Sequence, residues 1–158
     1  MHDALVRQFA DIRSPECAAG GCALQLDGLP RVIVLRFESY CERRNIQGER
    51  CDFLVFVCRQ VASVLAVEIK SGKNVEAKKA ARQLQQASSH LPHLINELGD
   101  GPYRYLFYPV LVCASVKHAN ELKVLRRERI DHGGKRYPII YRKCGTHIRD
   151  ILCEIAPD

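Results

Sequence analysis

Short apolar runs between polar segments predict most of the strands in this chain. Residues 31–40, 51–57 and 63–71 are rich in Val, Ile, Leu and Phe and are too short for buried helices. The first two runs are apolar on both faces over part of their length, which indicates a sheet that is covered on each side. Two further strands are predicted at 105–115 and 136–143, the second after a tight turn at "HGGK".

Helical periodicity and helix-forming composition predict the elements around these strands. Residues 2–13 place apolar side chains at helical spacing. A longer, Ala-rich helix is expected to begin with Asn74 as its N-cap and to end at Pro92. Shorter helices are predicted over 118–130, which is rich in basic residues, and over 145–155.

The order of these elements is helix, strands, helix, strand, basic helix, strand, helix, which predicts an α/β domain with a central mixed β-sheet flanked by helices. With 47% hydrophobic content, the 158 residues can bury most of their apolar surface in one core, so we expect a single domain over 1–158. The longest apolar run, 105–116, is too short to span a bilayer, and the N-terminus carries charges where a secretory signal is apolar. We therefore expect a soluble, cytoplasmic protein with no membrane partner.

Most of the eight cysteines are expected to be reduced. An even number of cysteines is compatible with a disulfide framework, but the charged N-terminal segment is not expected to be a secretory signal and the chain has a sizeable core. A zinc site is the alternative, although the spacings differ from the C-x2-C pairs of structural zinc sites. Its candidate ligands are Cys17, Cys22, Cys41 and Cys51.

The positive charge of the chain is concentrated in one region. Residues 117–143 hold nine Lys and Arg residues against three acids, a local balance of +6 that equals the net charge of the whole chain. Clustered cations suit a polyanionic partner, whose phosphates attract them and release condensed counterions. A solvated basic face is the plainer alternative.

One carboxylate and one ammonium interrupt an apolar run that is predicted to be a buried strand. Glu68 and Lys70 are two residues apart in that strand, so their side chains project from the same face. Two more Glu-x-Lys triplets, at 76–78 and 121–123, lie in predicted helices, where residues two apart diverge. We interpret those two as surface charges.

The preceding strand supplies a second carboxylate. If the connection between the two strands turns at Gln60, Asp52 lies directly opposite Glu68, and such like charges are destabilising unless a cation lies between them. Two carboxylates and the carbonyl of Ile69 form a hard-oxygen donor set that suits Mg²⁺ or Mn²⁺. The plainer alternative is that Asp52 ends a polar stretch and Glu68 forms a structural ion pair with Lys70.

Three features in this order resemble the PD-(D/E)xK nuclease superfamily, which includes restriction endonucleases, Holliday-junction resolvases and repair or defence nucleases. They are "CD" at 51–52, "VEIKSGK" at 67–73 and a helix that carries Gln83 in "ARQLQQAS". The resemblance covers roughly residues 1–116 and implies a restriction-endonuclease-like core. Cys51 stands where the family pattern has proline, and no tyrosine follows the glutamine at the usual spacing.

The resemblance also implies roles for individual residues. Asp52 and Glu68 would bind the metal ion, Lys70 would assist catalysis, and Gln83 would support the site. Many family members add a glutamate on the first helix or just after it. The candidates for that position are Glu16 and Glu38.

The function expected from these residues is a Mg²⁺- or Mn²⁺-dependent nuclease that acts on DNA. The alternative is a catalytically inactive module of the same fold that binds nucleic acid or a protein partner. Such nucleases often pair to cut both strands, so a homodimer or a nuclease-complex partner is expected by analogy. The cations expected to contact nucleic acid are Lys73, Lys78, Lys79, Arg82, Lys123, Arg126, Arg127 and Arg129.

Overall fold

The structure of the protein is a computed structural model that describes residues 1–72, 74–99, 101–116 and 119–155. The strands are β1 (Arg13–Ser14), β2 (Cys17–Ala19), β3 (Cys22–Leu24), β4 (Val32–Arg36), β5 (Phe53–Val57), β6 (Ala62–Lys70), β7 (Tyr105–Cys113), β8 (Arg129–His132), β9 (Lys135–Pro138) and β10 (Ile140–Lys143). The helices are α1 (His2–Gln8), α2 (Phe37–Arg43), α3 (Ala77–Asn96), α4 (Ala119–Arg127) and α5 (Ile148–Ile155). A 3₁₀ turn, Ala10–Ile12, follows α1, so the helix predicted over 2–13 is shorter than expected. None of the helices in the described ranges is both long and apolar enough to span a membrane.

Six strands form one mixed sheet in the order β1-β4-β5-β6-β7-β10. Neighbouring strands are antiparallel from β1 to β6 and parallel from β6 to β10. The β2–β3 hairpin and the β8–β9 hairpin are separate two-stranded sheets. The mixed sheet with helices packed on it confirms the predicted α/β class.

Both faces of the central sheet are buried, as the apolar strand patterns predicted. All five residues of β5 are buried. Leu54 and Phe56 project into a core shared with α1, α2 and α3. Val55 and Val57 project into a second core shared with β2, β3 and α5.

The strand predicted over 31–40 is wrong in its second half. β4 ends at Arg36, and α2 begins at the next residue. Phe37, Tyr40 and Cys41 are buried, and the rings of Phe37 and Tyr40 stack with their centres 6.0 Å apart. These residues recur at helical spacing, so a helix brings them onto one buried face, which the β-rich composition of the segment concealed.

The bounds predicted for the long helix are also wrong. α3 begins at Ala77 instead of just after Asn74, and it continues through Pro92. Leu94 and Ile95, beyond the proline, are buried in the core. We attribute the continuation to this burial, which compensates for the backbone hydrogen bond that proline removes.

The first turn of α3 is held by a side chain from α4. The N–H of Ala77 donates to the carboxylate of Glu121 at 2.7 Å, whereas Glu76 at the N-cap makes no side-chain capping bond. A carboxylate in this position also interacts favourably with the helix dipole. The interpretation of Glu121 as a plain surface charge is therefore wrong, because it joins the basic helix α4 to the start of α3.

The segment after α4 is a hairpin that the sequence predicts only in part. The tight turn at "HGGK" is confirmed, with φ of 56° at Gly133 and 75° at Gly134, the positive values that a type I′ turn requires. The strand predicted over 136–143 is divided between β9 and β10, which belong to different sheets. The end of the helix predicted over 118–130 is strand β8.

The hairpin β2–β3 was not predicted, and a disulfide ties it to the chain beyond β10. Cys22 in β3 is bonded to Cys144, 122 residues later in the sequence. The other six cysteines are free, and five of them are buried. Most of the cysteines are thus reduced, as expected.

The tip of the β2–β3 hairpin packs against the end of β6. Gly20 and Gly21 turn the chain with φ of 56° and 79°. A Cβ added at Gly20 would lie 2.8 Å from the Cβ of Ser71, the residue after Lys70. The hairpin therefore touches the chain next to the Glu68-Ile69-Lys70 segment.

Replacing Gly20 by alanine should destabilise the protein more than replacing Gly21. Both substitutions place an alanine at positive φ, at a cost of about 1 kcal/mol, but a Cβ at Gly21 meets open space. Gly21→Ala is therefore the matched control, and the difference between the variants reports the clash with Ser71. Urea unfolding measures both, and equal losses would show that the hairpin tip is not packed as described.

Candidate active site

The pairing of β5 with β6 has the register that was predicted from the sequence. Phe53 faces Val67, and the pairs continue along the hairpin with the same offset. One step before Phe53, this register brings Asp52 opposite Glu68. The carboxylate of Asp52 accepts a hydrogen bond from the N–H of Ile69 at 2.7 Å, so it is fixed at the end of β6.

Glu68 is a buried carboxylate with one satisfied oxygen and one unsatisfied oxygen. The residue is 1% exposed, and Oε1 forms an ion pair with Lys70. Oε2 is buried and has no hydrogen-bond partner among the described residues. Burial, reinforced by the nearby charge of Asp52, raises the pKa of Glu68 to about 7. Burial also raises the pKa of Asp52.

Gln83 connects this pair to α3 and to the loop between α2 and β5. Lys70 Nζ donates to its Oε1 at 3.1 Å, and its Nε2 donates to the carbonyl of Arg50 at 2.8 Å. Because both ends of the amide are bonded, Gln83 fixes the position of the ammonium and of the chain just before Asp52. The three residues predicted as catalytic with Asp52, namely Glu68, Lys70 and Gln83, therefore lie together.

Of the two further glutamates considered, only Glu38 lies beside Asp52. The N–H of Phe37 donates to the carbonyl of Asp52 at 3.0 Å, which places the first turn of α2 at this site. Glu38, Asp52 and Gln83 line one polar hollow of about 330 Å³. Glu16 instead lines a separate hollow beside β2 and β3.

The oxygen atoms of Asp52, Glu68 and the Ile69 carbonyl meet some of the requirements of a site for a hard divalent cation. The described residues contain no group of three or more His, Cys, Asp and Glu side chains arranged to hold a metal ion. Two carboxylates at the end of one hairpin, with the carbonyl of Ile69 on the edge that faces Asp52, are oxygen donors of the kind that Mg²⁺ uses. The unsatisfied, buried Oε2 of Glu68 is the observation that favours a cation, because a bound cation would satisfy it.

The four cysteines considered for zinc do not form a site. Cys17 and Cys22 lie in the core that includes β2 and β3, whereas Cys41 and Cys51 lie in the core on the other side of the sheet. Cys22 is also bonded to Cys144. Burial raises the pKa of the Cys41 thiol to about 11 and that of Cys51 well above its ordinary value, which keeps these thiols protonated.

The predicted nucleic-acid contacts fall into two groups. Lys78, Arg82 and Arg129 line one open hollow between α3 and β8, and Lys79 lines the adjoining hollow between α3 and α4. Lys73 lies outside the described residues. The second group is exposed on α4 and consists of Lys123, Arg126 and Arg127.

The loop between α2 and β5, which ends at Asp52, was not recognised as part of the site. The guanidinium of Arg82 donates two hydrogen bonds to the carboxylate of Glu49, at 2.8 and 3.0 Å. Gln86 donates to the carbonyl of Gln47 at 3.0 Å. The sequence shows polar residues along one side of α3, next to its buried side, but it does not show which segment of the chain these polar residues contact.

Comparison of the chain with protein-family models, with curated proteins and with solved structures found no match. The candidate site therefore depends on the geometry described above.

In the absence of divalent ions, the contribution of Glu68 to the free energy of unfolding should fall as the pH rises from about 4.5 to about 7. The folded protein binds the Glu68 proton more tightly than the unfolded chain does, because the pKa of this residue rises from 4.5 to about 7 on folding. The stabilisation is therefore complete below pH 4.5 and is lost as the pH passes through 7. Glu68→Gln should remove this component.

Urea unfolding at several pH values in the presence of EDTA measures the effect. Glu16→Gln changes an exposed acid and serves as the matched control. If Glu68→Gln retains the pH dependence of the wild type, the carboxylate is not desolvated as described.

Proposed function

We propose that this chain is a metal-dependent nuclease of the PD-(D/E)xK type with a restriction-endonuclease-like core, which hydrolyses phosphodiester bonds in DNA. The observation that carries the proposal is the convergence of two carboxylates and one ammonium at the end of the β5–β6 hairpin. One oxygen of Glu68 is buried there without a partner, which is unfavourable unless a ligand satisfies it.

The proposed division of roles follows from the contacts of each residue. Asp52 and Glu68, with the carbonyl of Ile69 and with Glu38 from α2, would hold Mg²⁺ or Mn²⁺. When bound, the ion supplies a Lewis acid for the phosphodiester and for the attacking water. The hydrogen bond from Lys70 to Gln83 does not involve Glu68, so it would hold the ammonium in position to stabilise the charge that develops on the phosphate.

The substrate would lie across α3, where exposed cations adjoin the site. Lys78, Lys79 and Arg82 project from this helix, and Gln83 on the same helix reaches Lys70. The cations of α4 would extend this surface, because Glu121 fixes α4 to the first turn of α3. This arrangement supports a polyanionic substrate, since phosphates are bound by clustered Lys and Arg side chains.

An inactive nucleic-acid-binding module of the same fold is the second candidate. It is favoured by the ion pair between Glu68 and Lys70, which neutralises one of the two carboxylates without a metal, and by the absence of a three-ligand metal group among the described residues. The two candidates differ in one property, namely whether DNA that is bound is also cut.

Plasmid nicking in the presence of Mg²⁺ separates the candidates. Asp52→Asn and Lys70→Ala should each lower the nicking rate at saturating DNA by about 100-fold or more. The first removes a proposed ligand of the metal ion, and the second removes the ammonium that would stabilise the charge on the reacting phosphate. Asp150→Asn changes an exposed acid on α5 and should have no effect. Equal rates for wild type, Asp52→Asn and Lys70→Ala would overturn the site, and a wild type that binds DNA but never cuts it would favour the inactive module.

The contribution of α4 to DNA binding is tested by the salt dependence of affinity. The double change Arg126→Gln and Arg127→Gln should reduce the slope of log K against log salt by up to about 2, since each phosphate contact contributes about 0.9. The control is the double change Arg59→Gln and Arg104→Gln, which removes two exposed cations near Ala62, at the end of β6 that is far from Lys70. It makes the same change of net charge and should leave the slope near that of the wild type. Equal slopes for both double variants would show that α4 does not contact the phosphates. Fluorescence anisotropy with a short duplex in EDTA gives these slopes without cleavage.

A further inference from the structure

The guanidinium of Arg82 is occupied by a carboxylate in the same way that it would hold a phosphate. Nε and one terminal nitrogen donate to the two oxygens of Glu49 at 2.8 and 3.0 Å. This paired geometry is the one in which arginine recognises either a carboxylate or a phosphate. The two groups are therefore interchangeable ligands for this side chain.

Glu49 lies among cations that include the candidate catalytic lysine. The hydrogen bonds from Arg82 lower the pKa of Glu49, and the charges of Lys79 and Lys70 lower it further. An anionic group bound by Arg82 in place of Glu49 would be attracted by the same cations. Arg82 also precedes Gln83, which holds Lys70, so the position of the anion and the position of the ammonium are set by one helix.

The loop holds Glu49 in place from both sides. The carbonyl of Gln47 accepts from Gln86, and the carbonyl of Arg50 accepts from Gln83. Because these bonds involve the backbone and not the Glu49 side chain, the carboxylate can rotate away without disturbing the loop that leads to Asp52. The side chains of Arg82 and Glu49 are 60% and 37% exposed, so solvent screens the pair and a competing anion can replace it.

We propose that Arg82, with Lys79, forms a subsite for a phosphate of the DNA backbone next to the scissile phosphate, and that Glu49 occupies this subsite in the free protein. DNA binding then exchanges the carboxylate for a phosphate oxygen pair on Arg82. Glu49 therefore lowers the affinity for DNA. This inference rests on the proposed function for its substrate, but it concerns binding and not cleavage.

The test is the affinity for a short fluorescent DNA duplex, measured in EDTA so that no cleavage occurs. Glu49→Gln should tighten binding roughly two- to fivefold beyond the control Glu42→Gln. Glu42 is an exposed acid that lies 3.9 Å from Arg50 in a loose pair, so its replacement makes the same change of net charge without releasing Arg82. In an Arg82→Gln background, Glu49→Gln should increase the affinity for the duplex no more than Glu42→Gln does, because the subsite has lost its guanidinium.

The outcomes distinguish this inference from the proposed function. Equal effects of Glu49→Gln and Glu42→Gln, or an advantage of Glu49→Gln that persists without Arg82, would overturn the subsite while leaving DNA binding intact. If neither wild type nor any variant binds the duplex at low salt, the proposed action on DNA fails and the subsite fails with it. Thermal unfolding of each variant verifies that affinity, and not folding, has changed.

Discussion

The candidate site depends on the antiparallel pairing of β5 with β6. The register is fixed by burial, because a shift by one residue would turn Val55 and Leu54 toward the opposite cores and would also separate Asp52 from Glu68. The hydrophobic pattern that stabilises the sheet is therefore the same constraint that places two acids side by side. A chain that folds this hairpin correctly has no independent freedom to separate them, and their mutual repulsion is imposed by the core.

This constraint leaves the fold with an unfavourable group at its centre. Glu68 has lost its hydration, lies near a second carboxylate and keeps one oxygen without a partner. Lys70 neutralises part of the charge, and Gln83 and the N–H of Ile69 hold Lys70 and Asp52 in position. An apolar pair at these two positions would satisfy the core more simply. Two acids in such a place cost stability, which is the pattern expected of the proposed cation-binding or catalytic site, where function is obtained at the expense of stability.

The local part of this arrangement was predictable from the sequence, and the tertiary part was not. Short apolar runs predicted the positions of β5, β6 and β7 and the first half of the 31–40 segment as β4, and strand parity predicted the pairing of Asp52 with Glu68. The helix α2 was missed because Phe37 and Tyr40 suit a strand by composition and show their helical spacing only over two turns. The end of α3 was predicted wrongly at Pro92, because the burial of the residues beyond it outweighs the tendency of proline to end a helix. The contact of Glu49 with Arg82 was not predictable because the two residues are 33 positions apart in the sequence and the loop that carries Glu49, between α2 and β5, has no periodicity.

Helix α3 is the element that relates the site to its surroundings. Gln83 accepts a hydrogen bond from Lys70, and the neighbouring Arg82 donates to Glu49. The amide of Gln85 donates to the carbonyl of Asp131 in β8 at 3.0 Å and accepts from the N–H of the same residue at 2.9 Å. The catalytic candidates, the loop that ends at Asp52 and the β8–β9 hairpin are therefore all bonded to one helix. Under the proposed function, a polyanion bound along α3 would meet these groups at the spacing that the helix sets, so the helix would align it with the two carboxylates. Selection among substrates would then reside in the side chains on the exposed face of α3 and in the loop opposite it.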